Sequence, residues 1–167
     1  VSGGFTYSTG DGSKHTGDSG GFSLSTGNAV GGKAGSMTLK MGTGNVGNGG
    51  SFSLDVGDTT GANGDGGSIT VIAGHANDGG SNDGGSITVT AGSSSGSGND
   101  DDGGSITINA GEAATGNGGN IDIQTGYSKS TSSGSFSFKT PNAGKSGVSG
   151  GFSFSTGIAT AGDLSLI

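Results

Sequence analysis

The sequence predicts an all-β chain, a parallel β-solenoid (β-helix) of about eleven coils of 15–19 residues around a thin, single-layer core. Three observations carry that expectation. Gly, Ser and Thr make up 89 of the 167 residues, and only 26% are hydrophobic, too few large side chains to fill an ordinary compact core. The few apolar residues are not scattered but recur in one phrase. Within that phrase they alternate with polar residues at period two, the spacing of a half-buried strand and not of a helix.

The phrase is clearest at 66–74, 84–92 and 103–111, where it reads Gly-Gly-Ser-Ile-Thr followed by Val or Ile, a variable residue, Ala and Gly. A first apolar position recurs at Phe5, Phe22, Met37, Phe52, Ile69, Ile87, Ile106, Ile121, Phe136, Phe152 and Leu164. A second follows two residues later, at Tyr7, Leu24, Leu39, Leu54, Val71, Val89, Ile108, Ile123, Phe138, Phe154 and Leu166. The third is smaller: Thr9, Thr26, Met41, Val56, Ala73, Ala91, Ala110, Thr125, Thr140 and Thr156. Glycine brackets nearly every copy, ending the strand and permitting a turn. Between copies lie about ten small polar residues with a few small apolar ones, among them Ala29, Val30, Val46, Ala62, Ala76, Ala113, Ala114, Ala143 and Ala159. Stacked in parallel, each copy becomes one coil, and eleven coils at about 4.8 Å each make a rod roughly 50 Å long. An antiparallel or sandwich arrangement is the competing architecture.

The chain reads as one continuous solenoid segment over 1–167, with a higher-order repeat. VSGGFTYSTG at 1–10 and VSGGFSFSTG at 148–157 share eight of ten residues, and Phe5 to Phe152 spans nine coils. Residues 1–147 are therefore expected to form one nine-coil unit and 148–167 to start the next, within a longer protein of tandem units. Phenylalanines crowd this junction, so stacked rings are expected to stiffen it.

Composition excludes several functions. No Cys is present, so there is no disulfide scaffold and no thiolate metal site. No apolar run is long enough for a transmembrane helix, so no membrane insertion is expected. Without Arg, and with six Lys and a net charge of −7, the chain has no cationic footprint for nucleic acid. His15 and His75 lie in different loops, and no Ser sits in a nucleophile motif, so no enzyme activity is expected. Gly144, Lys145 and Ser146 have the letters of a phosphate loop, but no helix is expected to follow.

Two surface features remain. Asp65, Asp83 and Asp102 each precede a Gly-Gly pair in three consecutive copies, with Asn48 and Asn117 in the flanking copies and Asp78, Asn82, Asp100 and Asp101 nearby. In a parallel stack the three carboxylates would repel one another, and calcium, the one cofactor the pattern suggests, would relieve this. The bland alternative is that the loops splay and stay hydrated. On the outward face, Thr6, Ser23, Thr38, Ser53, Thr70, Thr88, Thr107, Ser137, Ser153 and Ser165 form a hydroxyl column, broken by Asp122. That column is either an ordinary solvated face or a contact face for another rod, a polysaccharide or a mineral. Ice binding fits less well, because the next column carries Lys40, Asp55, Ile72 and Lys139.

The GGSITVTAG-type copies, with the phrase SSGSFSFKTPNAGKSGVSGGFSFSTG at 132–157, resemble long glycine-rich repeat proteins of diatoms and related algae. The GGSITVTAG copies alone are similar to coils of bacterial filamentous-haemagglutinin-type adhesins, which are right-handed β-helices. Both resemblances imply a secreted or cell-surface fibrous protein. The expected function is a structural segment of a long extracellular fibre that self-associates into longer rods or bundles and adheres along its flanks. The alternative is a binding module using the Ser/Thr face for carbohydrate, mineral or ice.

Overall fold

A computed structural model describes residues 4–12, 17–61, 63–77, 80–96 and 101–157. Leu164, Ser165, Leu166, His15, Ala62, Asp78, Asp100 and Ala159 lie outside the described residues. The chain divides into two units, Val1–Ser86 and Ile87–Ile167, each taken by itself below.

The solenoid expectation is overturned. Among the described residues there is neither helix nor β-strand, so no β-helix and no stacked coil is formed. Among the described residues no side chain is buried; Phe5 is 92% exposed, and even Met41, a third-position residue, is 39% exposed. Of the described residues only Ala73, Ala91 and Ser128 are half-buried.

What the sequence builds is a series of loops, each closed at its neck by glycine. In Val1–Ser86 the amide of Gly20 donates to the carbonyl of Gly10 at 3.4 Å, Gly50 to Gly42 at 3.5 Å, Gly67 to Gly57 at 2.9 Å and Gly85 to Gly74 at 2.8 Å. In Ile87–Ile167, Gly104 donates to Gly92 at 2.8 Å, Gly119 to Gly111 at 2.9 Å and Gly134 to Gly126 at 2.9 Å. The donor is always the glycine two residues before a first apolar position. From donor to next acceptor the chain runs through the same eight-residue frame at 50–57, 67–74, 85–92, 104–111 and 119–126. The copies are unevenly spaced because the loops vary in length while the frame does not.

Neck geometry favours glycine as donor. A Cβ on Gly85 would lie 3.1 Å from the Gly74 nitrogen and 3.4 Å from the Ala73 Cβ, and one on Gly67 would lie 3.1 Å from the Val56 Cβ. At these two donors a Cβ would crowd the facing residue, which favours glycine there. Inside the loops, Gly31 and Gly47 take positive φ (77° and 86°), which side-chain-bearing residues adopt at a cost.

Two loops depart from the pattern. Across Gly27 and Gly35 the Thr26 hydroxyl donates instead to the Gly35 carbonyl, at 3.2 Å. Pro141 replaces the acceptor glycine at the last neck, where the Cβ direction of Gly150 meets Thr140 only at 3.7–3.8 Å.

At two necks the side-chain contacts have the register of a chain reversal and not of a parallel stack. Thr9 faces Gly20 across its neck; two residues outward on each side, the rings of Tyr7 and Phe22 meet at 5.0 Å. Thr140 faces Gly150 in the same way, and two residues outward Phe138 and Phe152 meet at 5.1 Å. A second-position ring therefore contacts the next first-position ring across a reversal. Parallel coils would have set like positions together, as Phe5 over Phe22 and Phe136 over Phe152; the one like-position ring contact among the described residues, Phe138 with Phe154, is the longest, at 6.3 Å. Closing about ten residues at one neck costs little loop entropy, whereas stacking eleven coils orders every residue, Gly most expensively of all.

Candidate interaction surface

The densest side-chain contacts described in Ile87–Ile167 are four phenylalanines flanking the Pro141 loop. Within each frame the rings pack edge to face, Phe136 on Phe138 at 4.4 Å and Phe152 on Phe154 at 4.7 Å. Across the reversal, Phe138 meets Phe152 at 5.1 Å and Phe154 at 6.3 Å. Such pairs add about 0.5–1.5 kcal/mol each beyond their area. Period-two alternation places Phe136 and Phe138 on one side of their frame, with Ser137 and Lys139 between and after them. Phe138, Lys139, Thr140 and Phe152 line a shallow groove beside the rings. The rings remain more than half exposed. The phrase that restarts the higher-order repeat thus contributes two of the four rings. The expected aromatic crowding is present, as an exposed cluster and not as a buried stack.

The hydroxyl column falls into place only in part. Thr6, Ser23, Thr38, Ser53, Thr70, Thr88, Thr107, Ser137 and Ser153 are all exposed. Ser53 is tied to its own frame, donating to the Asp55 carboxylate at 3.0 Å. Without a parallel stack these residues belong to separate frames and form no continuous ladder.

Asp65, Asp83 and Asp102 each sit two residues before a neck donor, Gly67, Gly85 and Gly104, so they hold equivalent places in three loops. The stack that would have set them side by side is absent. Among the described residues no group of three or more His, Asp or Glu side chains could hold a metal ion. His75 is exposed, and Lys145 and Ser146 form a turn with no helix after it. No described helix is long and apolar enough to cross a membrane.

Sequence reasoning missed the neck glycines and Ser128. The Ser128 hydroxyl accepts the amide of Thr131 at 3.0 Å and that of Ser130 at 3.4 Å, and lies 2.9 Å from the Thr131 hydroxyl, organising the loop before Gly134. The signal for the necks was available in the constant distance from each Gly before a first apolar residue to the Gly after the third.

No protein-family model, characterised protein or solved structure matches this chain. The resemblances drawn from its repeat phrases gain no support from them.

Proposed function

We propose that this chain is a structural, non-catalytic segment of a long extracellular fibrous protein, and that it completes its apolar burial against further copies of itself. One observation carries the reading. The chain exposes 16662 Å², against about 7,200 Å² for a folded monomer of its mass. The excess of about 9,000 Å² is several times the roughly 1,200–2,000 Å² that a standard protein interface buries. Its apolar residues are ordered by sequence into two regular positions per frame, yet among the described residues none is buried. Regular spacing without burial suits a chain whose partner has the same spacing, because one frame then matches any other. Burying a large side chain fully adds roughly 1.5–3 kcal/mol, so many matched frames outweigh the ordering cost that one chain cannot meet alone.

In this reading the exposed Phe cluster is the strongest single contact, and the hydroxyl positions remain on the flanks, where polysaccharide or mineral would meet them. Sedimentation velocity and electron microscopy across a concentration series, with a dye that reports exposed apolar surface, test it. Growth into filaments with loss of dye emission is expected. A monomer at every concentration, with dye emission unchanged, would remove the proposal.

A further inference from the structure

The loop necks hold a modification site that follows from which glycine amide is engaged. At the necks before 50–57 and 119–126, the residue ahead of the Gly-Gly pair is Asn: Asn48 before Gly49 and Gly50, and Asn117 before Gly118 and Gly119. The second glycine's amide is committed to the neck, Gly50 to Gly42 and Gly119 to Gly111. The first glycine's amide makes no hydrogen bond among the described residues, and Asn48 and Asn117 are exposed. A Cβ on Gly49 would meet nothing within 4 Å, and one on Gly118 only the Gly111 carbonyl oxygen at 3.7 Å. An unhindered, unbonded amide next to an exposed carboxamide is the arrangement in which the backbone attacks its own side chain.

We propose that Asn48 and Asn117 are sites of spontaneous deamidation through a succinimide. The deprotonated amide nitrogen of Gly49 attacks Cγ of Asn48; the new C–N bond forms as the Cγ–NH2 bond breaks, and ammonia departs carrying the proton. Water then opens the ring. Attack at Cγ returns a normal aspartate, and attack at the main-chain carbonyl gives isoaspartate, with the chain rerouted through the side chain. Ammonia is lost, water is gained, and no oxidant or reductant takes part.

The two products have different consequences. Aspartate already stands at this place in three sister necks, at Asp65, Asp83 and Asp102, so the loop accommodates it with one added negative charge. Isoaspartate lengthens the backbone next to the donor glycine and pulls that donor out of its neck. Asn63–Gly64 shares the dipeptide but lies within a loop, away from the donor Gly67, and its conversion leaves the neck in place.

The test uses the full chain held at mildly alkaline pH, with peptide mass mapping and isoaspartyl methyltransferase labelling over time. Asn48 and Asn117 are expected to gain the mass of an amide-to-acid change, with the label, while Asn28 and Asn142, each followed by Ala, stay unchanged. Gly49→Ala, for which there is space, is expected to abolish conversion at Asn48 and leave Asn117 converting. Conversion of Asn48 and Asn117 no faster than Asn28 and Asn142, or wild-type conversion of Asn48 in Gly49→Ala, overturns the proposal. These outcomes are independent of whether the chain assembles.

Discussion

Set the aliphatic frames at 67–74 and 104–111 beside the aromatic frames at 134–141 and 150–157, and two ways of holding a chain reversal appear. At the aliphatic necks, hydrogen bonds of 2.8–2.9 Å close the loops, with Val56, Ala73, Ala91 or Ala110 against the donor glycine. At the aromatic end Pro141 replaces the acceptor glycine, and ring contacts of 5.1 and 6.3 Å outside the neck join the two sides. Tyr7 and Phe22 repeat the theme beside a neck stretched to 3.4 Å. Loop length does not set neck quality. The loops from Gly42 to Gly50 and from Gly111 to Gly119 are equally long, yet close at 3.5 and 2.9 Å. The first has Met41 against its donor and a positive-φ Gly47 within it; the second has Ala110 against its donor. The size of the third residue does not set neck quality alone either, since Val56 and Thr125 stand against the donors of necks at 2.9 Å; at the Pro141 end it is rings that join the two sides.

The largest effect is expected from removing the rings. Phe138→Ala deletes the ring that meets Phe136, Phe152 and Phe154, losing about 0.5–1.5 kcal/mol for each pair. Sedimentation velocity should show weaker association, and NMR should show the Pro141 loop losing its ring-current shifts; an unaltered association profile contradicts the aromatic half of the comparison. Next is Gly85→Ala, whose Cβ would crowd the Gly74 nitrogen at 3.1 Å, costing the neck bond and about 0.5–1.5 kcal/mol. Gly84→Ala meets only the Gly74 carbonyl oxygen at 3.7 Å and serves as its control. Amide exchange at residue 85 should quicken in the first variant and not in the second.

Smaller still is Pro141→Gly, which restores the acceptor glycine of the other frames. A gained bond of about 0.5–1.5 kcal/mol is partly offset by about 0.4–1 kcal/mol from the freer unfolded chain, so modest added protection at the Gly150 amide is expected. The smallest effect is calcium removal. With Asp65, Asp83 and Asp102 in separate loops, chelation should leave the association profile unchanged, and a shift on chelation would show that the three carboxylates share an ion.

How much of this was legible in the sequence can be read from particular residues. The two apolar positions, as at Ile106 and Ile108, and the bracketing glycines were plain from periodicity, and their places in the frame stand. Chain direction was not. Period-two alternation is the same for parallel and reversed neighbours, so Tyr7 meeting Phe22 could not be told from Phe5 meeting Phe22. Burial was not legible either, because alternation shows that one face is apolar and not that the same chain covers it. Asp65, Asp83 and Asp102 each stand two residues before a neck donor, but their expected closeness depended on the stack.

Residue-resolved hydrogen exchange on the dilute chain is the most direct measurement. Open, neck-closed loops predict protection confined to single amides at Gly67, Gly85, Gly104, Gly119 and Gly134, with the amides from Ile69 to Ala73 and from Ile106 to Ala110 exchanging freely. Continuous protection along those frames in the unassembled chain would mean that a hydrogen-bonded ladder exists after all, and would contradict the account.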